Sequence, residues 1–460
     1  MTRFDPTGSL RGSLRPPADK SISHRAAMIA AMGEGETVIE GYLDAADTRS
    51  TLGAMRALGA AVDVTGAGGA YEPWSDAELP PDGRIRVAGV GLRGPRPAAI
   101  DVGNAGTLLR LLPGWLAGQD GGSWTLDGDD SIRQRPVDRI ADPLRLMGAR
   151  LSAREERLPP LGIEGAPLRG VEYELPVASA QVKSCLLFAG LLAAGETRVV
   201  ERHPSRDHTE RMLTAAGARV ERLDRVAANQ VGVPDPPKGD AQIVTVRPLD
   251  RLEPSAIVVP ADISSAAFFV VAALLVGGSE VVLERVGLNP TRTGLLTILE
   301  RMGAEIEVTP GGEEGGEPIG DLRILASALR ATEVGGAEVP LAIDELPLVA
   351  LAACFAEGTT TIRDATELRR KESDRIATVT TALNALGGEV EATEDGMVIT
   401  GTGGLRGGTI DSHGDHRIAM LGAVAGLAST AGVEVRGMDV AAVSYPGFEV
   451  DLASLLVHGD

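Results

Sequence analysis

SISHRAAMIAAMGEGETVIEG, residues 21–41, runs from a polar opening through a helix-sized apolar body to a Gly-broken turn and a β-branched strand. The plan recurs as NAGTLLRLLPGWLAGQDGGSWTLDG (104–128), SAQVKSCLLFAGLLAAGETRVVE (179–201), SSAAFFVVAALLVGGSEVVLE (264–284), DELPLVALAACFAEGTTTIRD (344–364) and GDHRIAMLGAVAGLASTAGVEVRG (414–437). The six starts lie 70 to 85 residues apart, and a recurring spacing of this kind marks one supersecondary unit used repeatedly. Between the copies lie segments such as TLGAMRALGAAVDV (51–64), PLRLMGARLSA (143–153), RMLTAAGARVER (211–222), LLTILERMGAEIEV (295–308) and TALNALGGEVEA (381–392). The Gly in each predicts a left-handed helix end, and the alternation after it predicts a half-buried strand. The spacing is too long for an ankyrin or tetratricopeptide solenoid, so a globular α/β (α+β) repeat is expected.

The chain has 460 residues, enough for two to four domains at about 150 residues each; six copies divide most simply into two domains of three. A hydrophobic share of 43% with only 3% aromatics predicts cores of Ala, Val, Leu and Ile. Every long apolar run fits a repeat helix, so no membrane span is expected, and residues 1–17 lack the apolar core of a signal peptide. Cys185 and Cys354 both lie in apolar helical runs and read as small core residues of a reducing cytoplasm. A net charge of −20 argues against nucleic acid or an acidic membrane as partner.

The chain uses four lysines (Lys20, Lys183, Lys238 and Lys371) against 40 arginines. Three of the four fall in the polar clusters of the repeats. Lys20, Ser21 and Arg25 stand at a helix start, where free N–H groups, a hydroxyl and two cations suit phosphate or carboxylate; a Ser-capped helix with solvated charges is the plain alternative. Gly103-Asn104-Ala105-Gly106-Thr107 lets the backbone approach a ligand closely, and Arg135 follows just before Pro136. Ser179, Gln181 and Lys183 open the third copy, with Ser205-Arg206-Asp207-His208 beyond it. Asp262, Ser264 and Ser265 open the fourth and suit a cap. Asp344 and Glu345 open the fifth, as an N-cap or as a carboxylate with a raised pKa. Lys371 and Arg375 stand one turn apart if Arg369–Arg375 is helical, with solvated i,i+4 pairs as the plain reading. His413-Gly-Asp415-His416-Arg417 opens the sixth; its His pair is a poor metal site beside Arg417.

Shared placement at helix starts makes these clusters informative together. Lys20, Arg25, Arg135, Arg206, Lys371, Arg375 and Arg417 would form a cationic basin for a small phosphate- and carboxylate-bearing anion. Asp344 and Glu372 would handle protons. With no nucleophilic Cys, no Ser-His-Asp order and no metal set, acid–base chemistry with charge stabilisation is expected.

Taken in order, Lys20-Ser-x-x-x-Arg25, Gly103-Asn-Ala-Gly-Thr107, Arg135-Pro, Ser179-Ala-Gln181, Asp344-Glu345, Lys371-Glu-Ser-Asp-Arg375 and Asp415-His-Arg417 resemble the 5-enolpyruvylshikimate-3-phosphate synthase family nearly end to end. The resemblance implies an enolpyruvyl-transferase-like fold of two domains, 21–259 and 1–20 plus 260–460. Each would contain three repeats with helix N-termini facing an active-site cleft between the domains. It implies transfer of the enolpyruvyl group of phosphoenolpyruvate to the 5-hydroxyl of shikimate 3-phosphate, through a tetrahedral intermediate. Lys20, Ser21, Arg25, Ser179, Ala180, Gln181, Arg206, Asp344 and Lys371 would hold shikimate 3-phosphate. Lys20, Asn104, Gly106, Arg135, Gln181, Arg375 and Arg417 would hold phosphoenolpyruvate, and Asp344, Glu372 and Lys20 would be catalytic. No cofactor or metal is implied, and the enzyme would be a cytoplasmic monomer.

The chain departs from the family pattern in places. Many members carry Ser-Ser-Gln where this chain has Ser179-Ala180-Gln181, so a phosphate hydroxyl is missing, and Lys183 or Arg206 could replace it. A cation common before Thr-Phe-Pro is absent at Val443-Ser-Tyr-Pro446, and Glu367 stands where Asn is frequent. An enolpyruvyl transferase acting on UDP-N-acetylglucosamine is the nearest rival; that family has Lys-Asn at the first motif and usually a Cys on a mobile loop, where this chain has Lys20-Ser21 and cysteines only in apolar helical runs. A non-catalytic anion-binding repeat protein is the rival of another class; it does not need Asp344, Glu372 and Lys371 together.

Overall fold

A computed structural model of the chain describes residues 1–65, 69–80, 83–224 and 242–457; Lys238 lies outside them. The six apolar bodies are helices Lys20–Met32, Gly106–Ala117, Ala180–Gly190, Ile263–Leu275, Leu346–Phe355 and His416–Ala428. Each leads into a strand: Glu36–Glu40, Ser123–Asp127, Thr197–Glu201, Glu280–Gly287, Thr359–Ile362 and Val433–Arg436.

These six strands lie in six separate sheets. Every one pairs parallel with a lead strand on one side and antiparallel with a strand on the other. A parallel pair needs a crossover, and the repeat helix supplies it. In the second copy, for example, Ala98–Asp101 leads, helix Gly106–Ala117 crosses, and Ser123–Asp127 returns beside the lead strand. The segments between copies end their helices on Gly59, Gly148, Gly217, Gly303 and Gly387, with φ of 106°, 104°, 91°, 98° and 97°. A side chain at any of these positions would be strained.

Two copies take their lead strand from a distant part of the chain. Ile257–Val258 leads the first copy, pairing with Ile39 and Glu40, and Arg11–Leu14 leads the fourth, pairing with Glu280–Leu283. The chain correspondingly divides into two compact units. The first comprises Ala18–Val259 with Glu314–Glu317; the second comprises Met1–Pro17, Pro260–Glu313 and Pro318–Asp460. Both crossings carry nearly the same residues, Pro17-Ala-Asp-Lys-Ser21 and Pro260-Ala-Asp-Ile-Ser264. In each, the Asp caps the following helix: Asp19 accepts from the N–H of Ile22, and Asp262 from that of Ser264.

Each unit has its own core. In the first, a Cβ on Gly114 would meet the carbonyl oxygen of Cys185 at 2.0 Å, so the second and third repeat helices touch backbone to backbone. In the second, Phe268, Phe269, Tyr445 and Phe448 stack edge-on or tilted at 5.5–5.9 Å, docking the last helix, Phe448–Ser454. Tyr445 of the divergent Val443-Ser-Tyr-Pro446 stretch is thus a core residue, its hydroxyl donating to Asp451 at 2.7 Å. Cys185 and Cys354 are buried and unbridged, and burial pushes the Cys354 thiol up to about 12. Among the described residues no helix is long and apolar enough to cross a membrane.

His24 is buried on the first repeat helix, its Nδ1 2.6 Å from the Thr51 hydroxyl. Burial, then the charges of Lys20 and Arg25, hold its pKa well below 6.5. The folded protein keeps the ring neutral while the unfolded chain would protonate it below about pH 6.5. Its contribution to stability is therefore complete above that pH and is lost as the pH falls beneath it. The Tm advantage of the wild type over His24→Asn should accordingly shrink between pH 7 and 5. A constant difference across that range would exclude this linkage.

Candidate active site

In the first unit, three helix starts come together through side chains. The first helix begins at Lys20, capped by Asp19 and not by Ser21. The Lys20 ammonium pairs with the carboxylate of Asp47, in the first turn of helix Ala46–Ala57. Arg25 is buried and spread over three elements: Nη1 donates to the Ser21 carbonyl (2.9 Å), Nη2 to the Ser184 hydroxyl (2.9 Å) and Nε to the Thr209 hydroxyl (2.6 Å). Ser179 caps the third helix, its hydroxyl accepting from the Val182 N–H. Gln181 is oriented at both ends, its Oε1 accepting from Arg110 (2.8 Å) and its Nε2 donating to Thr107 (3.3 Å).

The second helix start presents Gly106 beneath Arg135. Arg135 Nη2 donates to Asn104 Oδ1 at 3.1 Å and to Ser131 Oγ at 3.3 Å, and a Cβ on Gly106 would meet Arg135 Nη1 at 2.5 Å. Gly103, with φ of 55°, lets the chain turn into this start. Arg206 lies in the turn between strand Thr197–Glu201 and helix His208–Ala215. Lys183 does not serve the ligand as the sequence allowed. Its ammonium is fully buried between Glu201 (2.7 Å) and Glu210 (2.8 Å), because its position on the helix points into the unit while Ser179 and Gln181 stand at the helix start. Burial alone would lower its pKa, but Glu210 and Glu201 more than reverse this, so it is charged.

In the second unit the starts of the fifth and sixth copies meet on one guanidinium, carried by the intervening helix Arg375–Ala385. Arg375, 1% exposed, donates from Nε to Asp415 (2.8 Å), from Nη2 to Glu372 (2.7 Å) and from Nη1 to Asp344 (3.2 Å). Lys371 Nζ joins Asp344 at 3.1 Å. Asp344 is not a cap: helix Leu346–Phe355 begins two residues later, after Glu345, and the carboxylate is taken up by Lys371 and Arg375. Nor do Lys371 and Arg375 share a helix face, since Asp374 caps a helix that begins at Arg375; they meet on Asp344 instead.

Asp415 caps the sixth helix by accepting from Arg417 N–H, and also receives Ser373 and Arg375. Burial would raise its pKa, but the charge and hydrogen bonds of Arg375 outweigh it and hold it below the usual carboxylate range. Arg417 donates to the Asp344 carbonyl (3.1 Å) and to Glu345 Oε1 (3.4 Å). Glu345 in turn accepts from the Ser264 hydroxyl, which receives Arg292 at 2.7 Å. The fourth copy's serine thus supports Arg417 from behind.

Several contacts were not read from the sequence. Arg110 was visible as a lone cation in an apolar helix; Asp47, Ser184, Thr209 and Arg292 gave no comparable signal. Asp207, His208 and Glu317 of the first unit cluster closely enough for a metal. Asp207, however, already holds Arg211 (3.0 Å) and Arg222 (2.6 Å), and two guanidiniums repel a cation. The arrangement as a whole sets carboxylates against buried cations at helix starts, which suits anion binding coupled to proton transfer.

Comparison with known proteins points the same way. The family model described as EPSP synthase (3-phosphoshikimate 1-carboxyvinyltransferase) matches residues 4–452. The 3-phosphoshikimate 1-carboxyvinyltransferases of Synechococcus sp. strains RCC307 and JA-3-3Ab are 47% and 48% identical, over 97% and 98% of this chain and 97% and 96% of theirs. A solved structure of EPSP synthase from Acinetobacter baumannii superposes with a TM-score of 0.82 at 40% identity, covering 99% of this chain and 98% of that one. The chain therefore belongs to the EPSP synthase (3-phosphoshikimate 1-carboxyvinyltransferase) family.

Proposed function

We propose that this chain transfers the enolpyruvyl group of phosphoenolpyruvate to the 5-hydroxyl of shikimate 3-phosphate, releasing phosphate on the route to chorismate and the aromatic amino acids. Family membership over nearly the whole chain carries the reaction; the carboxylates gathered on Arg375 support the chemistry. In this reading the protein acts as a cytoplasmic monomer.

Shikimate 3-phosphate is held by Lys20, Ser21, Arg25, Ser179, Ala180, Gln181, Arg206, Asp344 and Lys371, with Arg206 as the main phosphate cation. Arg135, Arg375 and Arg417 take the carboxylate and phosphate of phosphoenolpyruvate, where a guanidinium can donate two parallel hydrogen bonds. Asn104 and Gly106 shape that subsite, and Lys20 and Gln181 reach both ligands. Asp344 accepts the proton of the 5-hydroxyl as its oxygen bonds to C2 of phosphoenolpyruvate, while Glu372 or Lys20 delivers a proton to the methylene carbon. Elimination then breaks the C2–O bond to phosphate and returns a methyl proton to the same acid–base group. The cations stabilise the charge that develops on the departing phosphate. The sequence of steps is redox-neutral and balances without an electron carrier.

Phosphate release should require both substrates together, and release from phosphoenolpyruvate alone would contradict the reaction. Asp344→Ala should bind both ligands by calorimetry yet lose about 10²- to 10⁴-fold in kcat, the usual worth of a positioned acid or base; wild-type kcat would remove Asp344 from the mechanism. Gly106→Ala should push Arg135 aside and raise KM for phosphoenolpyruvate, leaving KM for shikimate 3-phosphate near wild type. An unchanged KM for phosphoenolpyruvate would show that Arg135 does not serve it.

A further inference from the structure

The fully buried Lys183 belongs to no part of the mechanism just described, yet its surroundings are specific. Its ammonium lies 2.7 Å from Glu201, 2.8 Å from Glu210 and 3.3 Å from the carbonyl of Ser205. The other oxygen of Glu201 receives the Ser205 hydroxyl. Ser205 is therefore gripped by its main chain and its side chain at once, one residue before Arg206. The segment so fixed is the turn between strand Thr197–Glu201 and helix His208–Ala215. On the same helix as Lys183, Ser184 contacts Arg25 and Thr209, and Ser179 and Gln181 stand at its start.

We propose that Lys183 is a positioning residue for the phosphate of shikimate 3-phosphate: through Glu201 and Ser205 it locks the turn that carries Arg206 to the helix that carries Ser179 and Gln181. The inference rests on the reading that Arg206 holds that phosphate. Burying an ammonium between two carboxylates is costly and seldom improves stability over an apolar filling, so its return lies in geometry. Ala180 gives the phosphate no hydroxyl, which makes the aim of Arg206 matter more. A guanidinium donates along fixed directions, and a displaced turn would forfeit its paired hydrogen bonds while leaving the charge nearby.

The test is a double-mutant cycle on KM for shikimate 3-phosphate, with Lys183→Met, Glu201→Gln and Ser205→Ala each made alone and with Arg206→Ala. Arg206→Ala should raise this KM about ten-fold or more, as loss of a charge-assisted phosphate contact does. Each network variant should raise it several-fold in the wild-type background, with kcat and KM for phosphoenolpyruvate changed by less than about two-fold, and should add nothing once Arg206 is gone. Network variants with wild-type KM, or increments that persist in full without Arg206, would overturn the proposal. If Arg206→Ala itself leaves KM unchanged, the phosphate assignment of Arg206 fails and the proposal falls with it, on a separate arm of the cycle. Should Lys183→Met not fold, Glu201→Gln and Ser205→Ala decide the question alone.

Discussion

The parallel pairing between each lead strand and the strand after the repeat helix constrains everything else in this protein. A parallel pair cannot be closed by a tight turn, so each copy must spend a helix on the crossover. The helix then starts where the lead strand ends, and its free N–H groups and positive dipole end come to the same edge of the unit. Three copies in a unit bring three such ends together: Thr107 reaches Gln181, and Arg25 reaches Ser184. In the other unit Ser264 reaches Glu345 and Arg417 reaches Asp344. Anion chemistry in an acidic protein follows from that repetition.

The apolar bodies are interchangeable in kind, and the polar residues at their starts are not. Arg375, on the intervening helix Arg375–Ala385, shows what two such starts achieve together. Its guanidinium is buried, which would be prohibitive alone, but Asp415, Glu372 and Asp344 surround it. The same contacts fix the carboxylates of Asp344 and Glu372 beside a buried positive charge. Stabilising the cation and orienting the carboxylates are one arrangement.

Much of this was legible in the sequence for a physical reason. Helix periodicity, Gly-terminated helices and the strand alternation are local, so the six copies and the left-handed turns at Gly59, Gly148, Gly217, Gly303 and Gly387 could be read directly. The motif clusters were legible because they share a place in the repeat. What escaped depends on contacts between distant segments. From the sequence Asp344 reads equally as cap or catalyst, and the distant Lys371 and Arg375 on its carboxylate decide against the cap; the first helix end is a local choice, taken by Asp19 over Ser21. Lys183 was read as a possible ligand because spacing along a helix cannot tell an inward face from its mouth. Asp47 and Thr209 carry no local mark at all.

The displaced lead strands have a consequence for how the chain is made. The first unit, apart from four residues, is one continuous stretch, Ala18–Val259, inserted into the second. A ribosome therefore releases the partners of that unit in succession, and it can close while synthesis continues. Strands Thr2–Phe4 and Arg11–Leu14 emerge before the first unit, yet their partners, Val433–Val435 and Glu280–Leu283, follow it. These two strands cannot meet their partners until the whole of Ala18–Val259 has been made. The polar and charged residues among them, from Arg3 and Asp5 to Arg11, Ser13 and Arg15, suit a segment that has to stay soluble until its sheet arrives.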